Sequence, residues 1–156
     1  MASLDLLLDD PNIEALGMLI EAHNEVVHLT ARHLEAAGEP SVPWLGVLIR
    51  LARSPGQRLR MSELARDMTM STSGLTRLVD RIEAAGHVCR EACPEDRRGL
   101  WASLTEEGRA VLARAVPRHV TDLAQTVGGA LEPDERAELT RLLRRLRDHA
   151  RDTATA

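Results

Sequence analysis

The stretch from residue 59 to residue 108 places the strongest constraint on the fold, because its apolar residues and turn signals follow a recognisable order. Residues 61–68 are predicted to form a short helix, with Ser62 as its expected N-cap. After a break, Ser71 is expected to cap a second helix over residues 71–85, which Gly86 is expected to end in the left-handed conformation. Two short helices joined by a tight turn are typical of a helix-turn-helix unit.

The second helix of this unit is amphipathic. Its apolar residues recur at i, i+3, i+4 and i+7, at Leu75, Leu78, Val79 and Ile82. Short polar side chains at the start of the opposite face, with an arginine one turn later, suit entry into a DNA major groove. The candidate DNA contacts on this helix are Ser71, Thr72, Ser73, Thr76, Arg77 and Arg81. The alternative is an ordinary solvated face, on which Asp80 and Arg81 are expected to form an ion pair.

A hairpin is predicted to follow. Residues 88–90 and 100–104 favour strands, and the loop between them contains Pro94 and Gly99. A hairpin placed after such a helix is a wing, and arginines at its tip can enter the negative minor groove. The alternative is an exposed hairpin tip with no partner.

The wing carries a specific motif. Asp96-Arg97-Arg98 is followed by Leu104-Thr105-x-x-Gly108, and Arg77 and Gly86 precede it. In these residues the chain resembles the MarR family of bacterial transcription regulators. The resemblance implies that Arg98 enters the minor groove, that Arg97 contacts phosphate and that Asp96 holds the loop. Arg90 would either pair with Asp96 or contact phosphate.

The resemblance also implies a fold and an assembly. We expect one mainly α-helical (α+β) domain over residues 1–156, a winged helix-turn-helix with long N- and C-terminal dimerisation helices. The DNA-binding lobe would span about residues 41–104, and the dimerisation lobe about residues 10–38 together with residues 105–152. The implied function is that of a homodimeric repressor that binds a palindromic operator and responds to a small-molecule effector.

The helical pattern outside the winged block fits that expectation. Helices are predicted from Pro11 to near residue 38, over residues 44–52, from residue 105 with a kink at Pro117, and from Pro133 to about Asp148. Apolar stripes on the first and last of these helices need a partner surface, because they run for many turns.

The distribution of charge along the chain indicates how the protein would bind DNA. The formal net charge is -4, and all 20 basic residues are arginines. Residues 1–49 carry eight acidic residues and one arginine, whereas residues 57–109 carry nine of each. Because this lobe is neutral, we expect specificity from groove contacts rather than bulk attraction. With Trp44 and Trp101 as the only aromatic residues apart from histidines, a stacking platform for single strands is disfavoured.

The resemblance implies an effector cavity between the helical base and the winged lobe, where family members bind small amphipathic molecules. The candidate lining residues are His23, Val27, Trp44, Leu48, Arg50 and His119. The alternative for each apolar residue is plain core, and for Arg50 simple exposure.

Metal and redox sensing remain alternatives within the same fold. His28 and His33 are five apart and do not share a helix face, so no metal or other cofactor is expected. Four residues apart along one extended strand, Cys89 and Cys93 would lie about 13 Å from each other, too far for a disulfide unless the hairpin turns between them. Cys93, one of two departures from the family pattern with His87, would have a lowered pKa beside Arg97 and Arg98 if exposed.

Other function classes are less well supported. An enzyme is not expected, because the sequence has no nucleophile–base set, metal cluster or phosphate-binding glycine loop. A winged-helix module that binds protein instead of DNA remains open. The first ten residues lack a signal-peptide pattern, and no apolar run reaches membrane-spanning length, so we expect a cytoplasmic location.

Overall fold

The computed structural model of the chain describes Leu4, residues 8–93 and residues 96–155; the side chains of residues 96–98 and 155 lie outside that description. The chain divides into two compact units, residues 1–118 and residues 119–156. The first unit contains the helix-turn-helix and the wing, and the second is helical.

Helices dominate the described backbone, as the sequence predicts. The six α-helices found there are α1 (Pro11–Ala36), α2 (Val42–Arg53), α3 (Met61–Asp67), α4 (Thr72–Ala84), α5 (Glu106–Thr126) and α6 (Pro133–Thr155). A small antiparallel sheet contains β1 (Arg58–Arg60), β2 (Val88–Cys93) and β3 (Asp96–Leu104) in the order β1-β3-β2. We call β2, β3 and the residues that join them the wing. The predicted mainly helical winged helix-turn-helix fold is confirmed.

The helix N-termini follow capping chemistry, with one correction. Asp10 caps α1 by accepting a hydrogen bond from the Asn12 amide at 2.7 Å. Ser71 caps α4 as predicted, because its hydroxyl oxygen accepts from the Gly74 amide at 3.1 Å. The prediction that Ser62 caps α3 is wrong, because the helix begins at Met61 and its N-cap is Arg60, two residues before Ser62.

The first strand is an addition to the predicted hairpin. Arg58 and Arg60 pair with Ser103 and Trp101 of β3. Both guanidinium groups stack on the Trp101 ring, with their central carbons 4.8 and 5.5 Å from its centroid. A strand of three residues is too short to show an alternating pattern, so sequence analysis did not reveal it.

The core of the first unit lies between α2, α3, α4 and the inner face of the sheet. Its most deeply buried large side chains are Leu45, Leu48, Leu51, Leu64, Leu75, Ile82, Val47, Val79 and Val88. The buried residues of α4 are the four apolar residues predicted to form its core face. α4 is therefore held to the lobe by one face, and its other face stays at the surface.

The two outer helices leave apolar residues exposed within the single chain. On α1 these are Ile13, Leu16, Met18, Leu19 and Ile20, and on α6 they are Leu139, Leu142, Leu143 and Leu146. α6 extends to Thr155, beyond the predicted end near Asp148, and α5 continues as one helix through Pro117. Among the helices that the structure describes, none is both long and apolar enough to cross a membrane.

Candidate nucleic-acid interface

The exposed face of α4 presents most of its predicted DNA contacts to solvent. Ser73, Arg77 and Arg81 are exposed, as are the capping residue Ser71 and Thr72. Thr76 is half-buried, and its hydroxyl donates to the Thr72 carbonyl at 2.8 Å. Its donor is thus engaged within the helix.

Two carboxylates of α4 face the wing. The predicted ion pair between Asp80 and Arg81 is wrong. Asp80 pairs instead with Arg90 of β2, and its Oδ1 lies 2.8 Å from Nη1 of that arginine. Glu83 accepts from Nε and Nη2 of Arg90 at 2.8 and 2.6 Å, and from the Arg90 amide at 2.7 Å. We call Asp80, Glu83 and Arg90 the α4–wing clamp. Sequence reasoning missed it, because the pairing depends on which face of β2 meets the helix.

The predicted wing-tip residues begin β3. Asp96 pairs with Cys93 of β2 in the strand register, and Arg97 and Arg98 follow it along the strand. The side chains of these three residues lie outside the described part of the structure. Their predicted roles toward DNA therefore stay predictions.

The second half of the motif anchors the base of the wing. The Thr105 amide donates to the His87 carbonyl at 3.2 Å. The Thr105 hydroxyl donates to the Gly86 carbonyl at 2.6 Å and accepts from the Gly108 amide at 3.0 Å. Gly86 itself has a φ of 78°, the left-handed stop that the sequence predicts. The start of α5 is thus tied to the turn between α4 and β2.

Comparison with known proteins agrees with this geometry. Residues 40–99 match the model of the MarR family. One similar solved structure is that of Sco3205, a MarR family transcriptional regulator from Streptomyces coelicolor, in complex with DNA. Its sequence is 34% identical to this chain. The alignment covers 96% of this chain and 90% of that chain, with a TM-score of 0.79.

This chain belongs to the MarR family. A second MarR family regulator from Streptomyces coelicolor, AbsC, is 32% identical, with a TM-score of 0.81 over 93% of this chain and 97% of that chain. The HTH-type transcriptional regulator YkoM from Bacillus subtilis is 29% identical over 91 residues, and the match spans 58% of each chain. Members of the family are DNA-binding transcriptional regulators and not enzymes.

In this MarR family protein the predicted effector residues lie on α1, α2 and α5. Leu48 is fully buried in the core, so its assignment to a cavity wall is wrong. Arg50 donates to the carbonyls of Asp67 and Gly46, each at 3.2 Å, and so joins α2 to the end of α3. These contacts give Arg50 a structural role, and its role in holding an anion stays a prediction.

Each of the other predicted pocket residues is positioned by its own element. Trp44 donates from Nε1 to Nδ1 of His87 at 3.3 Å, and the two rings meet edge to face. His23 is exposed on α1, where Val27 is half-buried. His119 is half-buried on the part of α5 that belongs to the second unit. Through its contacts with His87, Trp44 supports the turn between α4 and β2.

A surface groove does lie beside α4. Pro43, Met70, Gly74 and Leu78 line it, together with Arg77, Asp80 and Arg81. Apolar side chains thus adjoin two guanidinium groups, both among the predicted DNA contacts. This combination suits a small amphipathic anion.

Metal and thiol chemistry find little support in the described residues. No group of three or more His, Cys, Asp or Glu side chains that could hold a metal occurs among them. Both cysteines are unpaired, and Cys93 is buried, so the exposure on which its predicted redox role depends is missing. Burial and the negative charges of Glu91 and Glu83 raise the pKa of the Cys89 thiol.

Proposed function

We propose that this MarR family protein regulates transcription by binding a specific double-stranded DNA sequence, with α4 in the major groove and the wing in the adjacent minor groove. The observation that carries the proposal is that α4 is buried on one face only. Its apolar face is buried in the core, while Ser73 and Arg77 project into solvent from the opposite face. A helix held in this way can present donors to base edges without changing its own packing.

The contacts follow from the chemistry of each residue. Ser71, Thr72 and Ser73 lie at the N-terminus of α4, where hydroxyl groups can reach phosphates or base edges. Arg77 has the length and the fork of donors to read a guanine, and Arg81 is placed to contact phosphate.

The wing supplies the second part of the interface. Arg98 is proposed to enter the minor groove, Arg97 to contact phosphate and Asp96 to hold the turn. We expect Arg98→Ala to weaken operator binding by about 1–3 kcal/mol at fixed salt.

We further propose that two copies of the chain act together. The exposed leucines of α6 and the exposed apolar residues of α1 support a homodimer, because such stripes need burial against another helix. A two-fold dimer would place two copies of α4 in major grooves about 10 bp apart and would recognise a palindromic operator. Binding at a promoter would then repress transcription, in the cytoplasm where the chromosome lies.

The groove beside α4 supports a ligand response. A small amphipathic anion that packs on Met70 and Leu78 and pairs with Arg77 would compete with DNA for that arginine. A coupling of about 1–3 kcal/mol is enough for a 5–150-fold change in operator affinity. Titration of the protein–operator complex with benzoate tests this part, which fails if saturating benzoate leaves the affinity unchanged.

Selection of bound duplexes from random DNA tests the main proposal. A palindromic sequence should be enriched, and the salt dependence of its binding should show a log–log slope of about -0.9 per phosphate contacted. Arg77→Ala should lose affinity, whereas Arg144→Ala, an exposed arginine on α6, serves as the matched charge control. If no duplex is enriched, the alternative function, a winged-helix module that binds protein instead of DNA, is favoured.

A further inference from the structure

Arg90 lies on β2, the first strand of the wing, and its side chain points from the sheet toward α4. Its register partner on β3 is Ala102, which is fully buried, and Val88 two residues earlier is buried as well. Because side chains alternate along a strand, Arg90 shares the inner face with Val88. A charged group that points inward needs ionic partners to offset its desolvation.

Those partners come from one turn of α4. Asp80 and Glu83 are three residues apart, so both face the same strand. Each oxygen of the Glu83 carboxylate binds residue 90, Oε1 through the amide and Oε2 through the guanidinium, at 2.6–2.8 Å. Asp80 binds the remaining nitrogen, Nη1, at 2.8 Å. The clamp thus holds both the backbone and the side chain of β2.

The charges in the clamp sustain one another. The hydrogen bond from Arg90 lowers the pKa of Glu83, and the same bond raises the pKa of Arg90. The Arg90 side chain is 25% exposed, and those of Asp80 and Glu83 are 49% and 32% exposed. Partial burial of this kind weakens solvent screening of the contacts.

We propose that Arg90 is a positioning residue that fixes the wing to α4, so that helix and wing meet DNA as one rigid body. All three nitrogens of its guanidinium face carboxylates, so the clamp replaces the phosphate contact expected from the sequence. The proposal rests on the proposed DNA-binding function and adds the residue that sets the spacing between its two groove contacts.

Removal of the acidic partners separates positioning from direct contact. In Asp80→Ala/Glu83→Ala the clamp is lost, two negative charges leave the interface and Arg90 becomes free. If Arg90 were a phosphate contact, this variant would bind the operator more tightly. If Arg90 positions the wing, the variant should bind about 5- to 150-fold more weakly, the range for loss of one groove contact. The two roles therefore predict effects of opposite sign.

Footprinting on the selected operator identifies which contact is lost. Hydroxyl-radical cleavage reports the minor groove under the wing, and methylation of guanine N7 reports the major groove under α4. We expect the minor-groove protection to fade in the variant while the major-groove protection persists. Arg90→Lys, which keeps the charge but cannot bridge both carboxylates, should give an intermediate loss. Unchanged protection in both grooves would overturn the proposal, as would tighter binding.

Charge and folding are controlled separately. Glu21→Ala/Glu25→Ala removes the same charge from exposed positions of α1 and should keep the wild-type footprint. Circular dichroism and urea unfolding of each variant show that the lobe is folded before DNA is added. Equal loss of both footprints in a folded Asp80→Ala/Glu83→Ala variant also counts against positioning of the wing alone.

A measurement without DNA keeps this inference distinct from the proposed function. In a Trp44→Phe background Trp101 of β3 is the only tryptophan, and its quenching by acrylamide reports the mobility of the wing. Loss of the clamp should increase quenching of Trp101, and unchanged quenching would contradict the proposal. If the wild-type protein selects no DNA but the clamp still controls quenching, the proposed function fails and the link between wing and helix stands.

Discussion

The first turn of α5 passes so close to the turn before the wing that Gly108 lies directly against the carbonyl oxygen of His87. A Cβ atom at Gly108 would overlap this oxygen and would also lie 2.8 Å from Cδ1 of Leu104. The same carbonyl accepts a hydrogen bond from the Thr105 amide. The motif Leu104-Thr105-x-x-Gly108 is therefore a packing motif at the base of the wing, and its glycine is required for close approach.

Replacement of this glycine should destabilise the protein. Gly108→Ala pushes the alanine Cβ against the backbone carbonyl of His87. Overpacking of this kind typically costs about 1–3 kcal/mol. The free energy of unfolding in urea measures the loss. Gly17→Ala is the matched control, because a Cβ there meets nothing within 4 Å on α1. Alanine in that helix should be neutral or stabilising by about 0.5–1 kcal/mol. Equal effects at the two glycines would contradict the close approach at His87.

The N-terminus of α4 provides a second matched pair. Ser71→Ala removes the hydroxyl oxygen that accepts from the Gly74 amide, and loss of an N-cap costs about 1 kcal/mol. Ser62→Ala should have little effect, because Arg60 and not Ser62 is the N-cap of α3. Urea unfolding of both variants gives the comparison. A loss at Ser62 as large as that at Ser71 would show that the start of α3 is wrongly assigned.

Local sequence patterns predicted most of the elements that form the winged lobe. The stripe on α4, the cap at Ser71 and the left-handed Gly86 each depend on neighbours within a few residues, and the structure contains all three. The same reasoning placed the cap of α3 two residues too late and ended α6 early. Such errors at element ends arise because terminal residues carry few periodic contacts.

Contacts between distant residues were beyond the reach of those patterns. Trp44 and His87 are 43 residues apart, and Arg114 and Glu39 are 75 apart. For Arg90 the sequence leaves open an ion pair with Asp96 or a contact with phosphate, because its neighbours in space are unknown at that point. Only the packing of β2 on α4 brings carboxylates to it. Local patterns thus predict that Arg77 and Arg81 are exposed on α4. They do not predict that Asp80 and Glu83 hold Arg90.

The clamp should make stability depend on pH. Arg90 lowers the pKa of Glu83 from its ordinary value of 4.5, so the ionised carboxylate stabilises the folded state. This contribution is complete above the unfolded-state pKa and is lost as the pH falls through the lower folded-state pKa. Glu83→Gln should therefore be less stable than wild type at pH 7, and the difference should shrink in acid. Urea unfolding across that range tests the sign. A difference that grows as the pH falls would rule out this coupling.

Disruption of the exposed leucine stripe should separate the subunits without unfolding the chain. Leu142 and Leu146 are 38% and 53% exposed in the single chain, so glutamate at both positions causes little strain within one subunit. In the proposed dimer the same carboxylates would be buried and unpaired, which strongly opposes association. Sedimentation equilibrium should give twice the chain mass for wild type and the chain mass for Leu142→Glu/Leu146→Glu. A monomeric wild type would end the proposal of a dimer.

Oxidation should leave operator binding unchanged. A thiol reacts as its thiolate, and burial with nearby carboxylates raises the pKa of Cys89, while Cys93 is buried. Cys89 thus lacks the electropositive surroundings of a redox sensor, and Cys93 lacks the exposure. Treatment with peroxide followed by an operator titration checks this expectation, with Cys89→Ser/Cys93→Ala as the thiol-free reference. A loss of affinity in wild type that the reference escapes would restore the redox alternative. It would also require the strand pair to open, because Cys93 is only 3% exposed when β2 is paired with β3.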